Sequence, residues 1–110
     1  MKTTKKKVKP ANPEYAKHAL RFANEIREEL ELPPRPRLAK GECGDPSACP
    51  IARTITFKKP GLVTASVDGD TARVERWGGN YKYVHRDLPR SVKRFISAFD
   101  NRRYPSLIGK

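Results

Sequence analysis

Residues 63–74 alternate apolar and polar side chains on both sides of Asp68-Gly69. An Asp-Gly pair between two alternating runs is a strong hairpin signal, because both residues tolerate the backbone a two-residue turn needs. Folding about that pair sets Val67 opposite Asp70, Ala65 opposite Ala72 and Val63 opposite Val74. Val63, Ala65, Val67, Ala72 and Val74 then share one face, and Thr64, Ser66, Thr71, Arg73 and Glu75 share the other. A slip of one residue would mix the two sets. Gly78-Gly79 predicts a second tight turn, which sets Trp77 opposite Asn80, Glu75 opposite Lys82 and Val74 opposite Tyr83. That register puts Tyr81 and Tyr83 on the apolar face and only Trp77 on the other. A three-stranded antiparallel meander is thus expected over residues 62–85.

Helical patterns flank it. Asn12 is a good N-cap and Pro13 suits a first helical position. Ala16, Ala19, Leu20, Ala23, Ile26 and Leu30 follow at three- and four-residue spacing, with Phe22 beside them. This helix must stop before Pro33-Pro34. Near the C-terminus, Leu88, Val92, Phe95, Ile96 and Phe99 form one stripe, and Arg86, Arg90, Lys93, Arg94, Ser97 and Asn101 form the opposite one. Asp87 is the expected cap, with Pro89 in the first turn. The tail Tyr104-Pro105-Ser106-Leu107-Ile108 is apolar enough to dock.

Residues 33–61 hold six of the ten prolines. Pro33-Pro34-Arg35-Pro36 predicts an extended connector. Pro50 fits the start of a short helix after Cys49, with Ile51, Ala52 and Ile55 facing inward. The fold class these signals define is α+β: a small three-stranded antiparallel sheet packed by N- and C-terminal amphipathic helices, plus a short helix after residue 49. A chain of 110 residues is one domain on length grounds. Residues 1–11, with five lysines among the first ten and almost nothing apolar, read as a basic disordered arm; residues 12–110 read as the domain.

The net charge of +12 is polarised. Residues 1–10 carry five cations and no acid, and residues 86–110 carry seven cations and two acids. A basic protein with its charge gathered at two ends suits anionic partners, either nucleic acid or an acidic protein surface. The residues expected to meet them are Arg86, Arg90, Lys93 and Arg94 on the last helix, Arg102 and Arg103 after it, and Lys5, Lys6 and Lys7 in the arm. Such contacts give affinity without sequence specificity. The same stripe is also the ordinary solvent face of an amphipathic helix, and the lysines also suit a solubilising tail.

Little else suggests chemistry. No glycine loop that cradles phosphate, no metal-binding His-Glu cluster and no Gly-flanked serine is present. Cys43 and Cys49 with His18 and His85 match no zinc spacing, so two reduced thiols and no metal are expected. A helix beginning at Pro50 would lower the Cys49 thiol pKa, but no base or orienting group accompanies it. No catalytic residue and no cofactor are expected, and the chain reads as a non-enzyme. No apolar run reaches bilayer length, so no membrane contact is expected. The basic start at Met1–Lys9 lacks the apolar stretch of a secretory signal, which points to the cytoplasm.

Two segments carry a resemblance. Gly44-Asp45-Pro46-Ser47-Ala48-Cys49-Pro50-Ile51-Ala52-Arg53 is one. The other is Leu88-Pro89-Arg90-Ser91-Val92, continued by Phe95-Ile96, Phe99-Asp100 and Tyr104-Pro105-Ser106-Leu107. Over residues 41–108 the chain resembles small uncharacterised proteins of actinobacteria and their phages. The resemblance implies a phage or actinobacterial origin, and with it the host cytoplasm and a role in binding host components. It transfers no activity and no site residue. The expected function is therefore a non-enzymatic binding module, plausible as a phage accessory protein, that meets nucleic acid or an acidic host surface through the basic helix and lysine arm. The alternative is a protein-interaction module or homodimer with an apolar contact, its charge serving solubility.

Overall fold

The structure is a computed structural model, described over residues 12–59 and 61–109. The lysine arm lies outside the described residues. In chain order the elements are α1 (Pro13–Glu29), α2 (Pro50–Thr56), β1 (Val63–Val67), β2 (Thr71–Arg76), β3 (Lys82–Asp87), α3 (Arg90–Asp100) and a 3-10 turn (Pro105–Leu107). The strands form one antiparallel sheet in the order β1-β2-β3. The α+β architecture expected from the pattern is therefore the one observed.

α1 and α2 begin where the caps say. The Asn12 side chain accepts from the Glu14 N–H at 2.9 Å, with Pro13 first in α1. Cys49 is the N-cap of α2, its sulfur accepting from the Ala52 N–H at 3.4 Å. Both long helices end in the same way. Glu31 and Arg102 take positive φ, 62° in each case, just past their helices. Leu32 N–H then reaches the Arg27 carbonyl and Glu31 N–H the Glu28 carbonyl; Arg103 reaches Ala98 and Arg102 reaches Phe99. These are Schellman motifs built without glycine.

Two registers differ from expectation, with different consequences. Between β1 and β2, Val67 pairs with Ala72, Ala65 with Val74 and Val63 with Arg76. The Asp68 carboxylate accepts from both the Asp70 and Thr71 N–H groups at 2.7 Å. That bonding makes Asp68 the residue before the turn, with Gly69-Asp70 as its centre. The slip is two residues, so every side chain keeps its face. Between β2 and β3 the slip is one residue. Val74 pairs with Val84 and Glu75 with Tyr83, because the loop holds Trp77–Tyr81 rather than two glycines. A slip of one inverts the faces of β3. Val84 is buried and Tyr83 and Tyr81 are half exposed, at 51% and 52%. The expectation that these tyrosines pack in the core is thus corrected. Asp87 ends β3, and Pro89 rather than Asp87 is the N-cap of α3, with no side-chain capping bond.

One core joins the elements. Ile26, Leu30, Ile51, Ile55, Val67, Val74, Val92, Phe95 and Phe99 are almost wholly shielded. α1 lies between α2 and α3, and α2 lies against β1. The proline-rich stretch is held by side chains rather than by regular structure. Asn24 exchanges two hydrogen bonds with the Arg35 backbone, at 2.8 and 3.0 Å. Ala39 N–H donates to the Thr54 hydroxyl at 2.8 Å. The tail docks as expected: Tyr104 is buried, and Gly41 and Ile108 form a parallel bridge. A Cβ at Gly41 would stand 2.5 Å from the Pro50 nitrogen, so glycine is required there.

Candidate nucleic-acid interface

The outer face of α3 carries Arg90, Lys93, Arg94, Ser97 and Asn101, all exposed. They recur at three- and four-residue spacing because the opposite stripe, Val92, Phe95, Ile96 and Phe99, is anchored in the core. Little neutralises the cations. Lys93 stands 3.7 Å from the exposed Asp70 carboxylate, a pair worth little in water. Arg94 donates to the Tyr15 hydroxyl at 3.3 Å, a neutral partner that leaves its charge intact. Among the described residues no hydrogen bond or ion pair is made by the Arg90 side chain.

Arg86 does not join this face. It lies on β3, half-buried, and pairs with the Glu29 carboxylate at the end of α1. The expectation placed it one turn before Arg90 on a continuous helix; the chain there is still a strand, and its side chain points to the sheet's inner face. Arg102 and Arg103 follow α3 directly, both exposed. Lys5, Lys6 and Lys7 lie outside the described residues.

Two other cations of the sheet serve the fold. Arg76 donates to the Leu30 carbonyl, and Lys82 donates to the Glu29 carbonyl at 3.2 Å while standing 3.9 Å from Glu31. With Arg86 they close on the C-terminal end of α1, where carbonyls lack partners and the helix dipole is negative. Arg27 does the same inside the protein. It is 3% exposed and donates to the carbonyls of Thr54 at 3.0 Å, Ile55 at 2.8 Å and Pro33 at 2.7 Å. Burial lowers its affinity for its proton, and the charge of Arg35 adds to this.

α1 and α3 meet along a seam that opens into a polar pocket of about 390 Å³. Asn12, Tyr15, Arg94, Ser97, Asn101 and Arg103 line it. Arg94, Ser97, Asn101 and Arg103 were legible as basic or polar positions of the last helix. Tyr15 was not, because only the packing of α1 on α3 brings it there.

The open sheet face is a second surface. Leu62, Trp77, Tyr81 and Tyr83 are each about half exposed. Trp77 and Tyr81 rings lie 4.8 Å apart, and the Tyr81 hydroxyl donates to Glu75 at 2.6 Å, which raises the tyrosine's pKa. Thr64, Ser66, Arg73, His85 and Asp87 complete this face, where the Arg73 guanidinium stands 3.6 Å from the Asp68 carboxylate.

The thiols are free, and Cys49 is buried. Burial pushes its pKa up, against the lowering expected from the helix start. Desolvation of the thiolate outweighs the N–H groups of a helix only seven residues long. Among the described residues no group of three or more His, Cys, Asp or Glu side chains is arranged to hold a metal, and no helix is long and apolar enough to cross a membrane. Comparison with known proteins gave no matching family model, no matching curated protein and no matching solved structure.

Proposed function

We propose that this chain is a non-enzymatic binding module for nucleic acid, with α3 as the element that meets the phosphates. The observation that supports this best is the unneutralised face of α3. Arg90, Lys93 and Arg94 stand in solvent at helical spacing, while Arg76, Lys82 and Arg86 of the sheet and Arg27 of α1 are already engaged with helix ends. Positive charge at that spacing binds phosphate without reading sequence. The lysine arm adds to the same field, and an accessory role in a host cytoplasm, as for a phage protein, belongs to this proposal. The test is binding of a labelled DNA duplex at several salt concentrations. R90A/K93A/R94A should bind more weakly and lower the salt slope by roughly 0.9 for each phosphate it no longer neutralises. Equal binding by the variant and the parent would remove α3 from the interface.

A second reading rests on the open sheet face. Leu62, Trp77, Tyr81 and Tyr83 are apolar, clustered and half exposed, which suits a protein contact of aromatic character. Such a contact would respond little to salt, whereas phosphate binding weakens steeply.

A further inference from the structure

We propose that the pocket between α1 and α3 seats a backbone phosphate of the bound nucleic acid, an inference that rests on the reading of α3 as the nucleic-acid face. The pocket brings two guanidinium groups, Arg94 and Arg103, to one concavity with the hydroxyls of Tyr15 and Ser97 and the amide of Asn101. Among the described residues no carboxylate lines it. Guanidinium forks and hydroxyl donors arriving from two helices suit a tetrahedral oxyanion, which accepts from several directions at once.

The Arg94 guanidinium is positioned rather than loose. The Tyr15 hydroxyl accepts from one Arg94 nitrogen at 3.3 Å, which orients the fork and leaves the phenol's own proton free to donate. The Arg103 backbone is fixed by the bond from its N–H to the Ala98 carbonyl at 2.9 Å, the longer bond of the Schellman motif. α1 is held in place at its start, where the Tyr104 hydroxyl donates to the Asn12 carbonyl at 2.6 Å. A volume of about 390 Å³ exceeds what a single oxyanion fills, so the phosphate is expected as part of a larger group, with its flanking sugar in the mouth of the pocket.

The experiment must separate a built seat from diffuse charge. R94K/R103K keeps both charges and removes both forks. On a labelled duplex at fixed low salt, and with the thermal midpoint unchanged, this variant should bind about tenfold more weakly. R21K, which keeps charge at an exposed α1 position outside the pocket and outside the α3 face, should bind like the parent. Ser97→Ala, at an exposed site, should give a smaller loss with no change of charge. Equal affinity of R94K/R103K and the parent would overturn the seat while leaving α3 as the interface. Should the parent bind no duplex at all, the proposed function fails, and inorganic phosphate followed by NMR then decides the pocket alone. Saturating shifts at Ser97 and Asn101 support an oxyanion seat; unmoved signals overturn it. A duplex with and without 5′-phosphates separates a backbone phosphate, expected to show no difference, from a terminal one.

Discussion

Arg27 and Arg90 are the same residue type, both on amphipathic helices, and they do opposite things. Arg27 is buried at 3% exposure and spends its donors on carbonyls at the end of α2 and in the connector after α1. Arg90 stands in solvent at the start of α3. Arg76, Lys82 and Arg86 belong with Arg27, since each closes on the end of α1. A net charge of +12 therefore overstates the charge offered to a partner. Part of it is structural cement, fixed by the unpaired carbonyls of helix C-termini. Arg90, Lys93 and Arg94 on α3 are not consumed in this way.

That contrast is testable, and the largest effect falls on the buried side. Arg27→Met keeps the side-chain stem but strands several carbonyls, so urea denaturation should show a loss of about 2–4 kcal/mol. A loss under about 1 kcal/mol would mean that water reaches those carbonyls and that burial of the arginine is incidental. Arg76→Ala removes one donor at a half-exposed helix end and should cost about 1 kcal/mol in the same measurement. Glu31→Gly should act in the other direction. Glycine takes the positive φ of this cap without a Cβ penalty, and a gain of about 0.5–1 kcal/mol is expected, with Arg76 still in place. R90A/K93A/R94A should change stability least, within about 0.5 kcal/mol for each position, while its effect on duplex binding is the greatest of the four. A variant of this kind that unfolds would move the stripe from the solvent side of the comparison to the structural one.

The thiols offer a parallel contrast of exposure. Cys43 is partly exposed and donates to the Phe99 carbonyl at 3.2 Å, whereas Cys49 is buried with its pKa pushed up by desolvation. A thiol reagent at neutral pH should modify Cys43 first, and Cys49 only at the rate of unfolding. Faster reaction at Cys49 would mean that the segment around α2 opens locally.

Sequence pattern by itself determined the order of elements, the three helices and the inward face of β1 and β2. It did so because apolar periodicity and caps such as Asn12-Pro13 and Cys49-Pro50 are local signals. The β1–β2 register survived an error of two residues for the same reason: a period of two leaves the faces unchanged. Tertiary structure decided the rest. The five-residue loop Trp77–Tyr81 inverted β3, because the Trp77–Tyr81 ring contact and the Glu75 carboxylate compete with a glycine turn, and no local signal ranks them. Arg86 left the expected basic stripe for Glu29, and Tyr15 joined the pocket at Arg94, through partners 57 and 79 residues distant along the chain. Which cations are consumed by helix ends, and which are left to meet a partner, depends on where those ends come to lie. Periodicity fixes the face of a helix on which a charge sits; only packing fixes what stands opposite it.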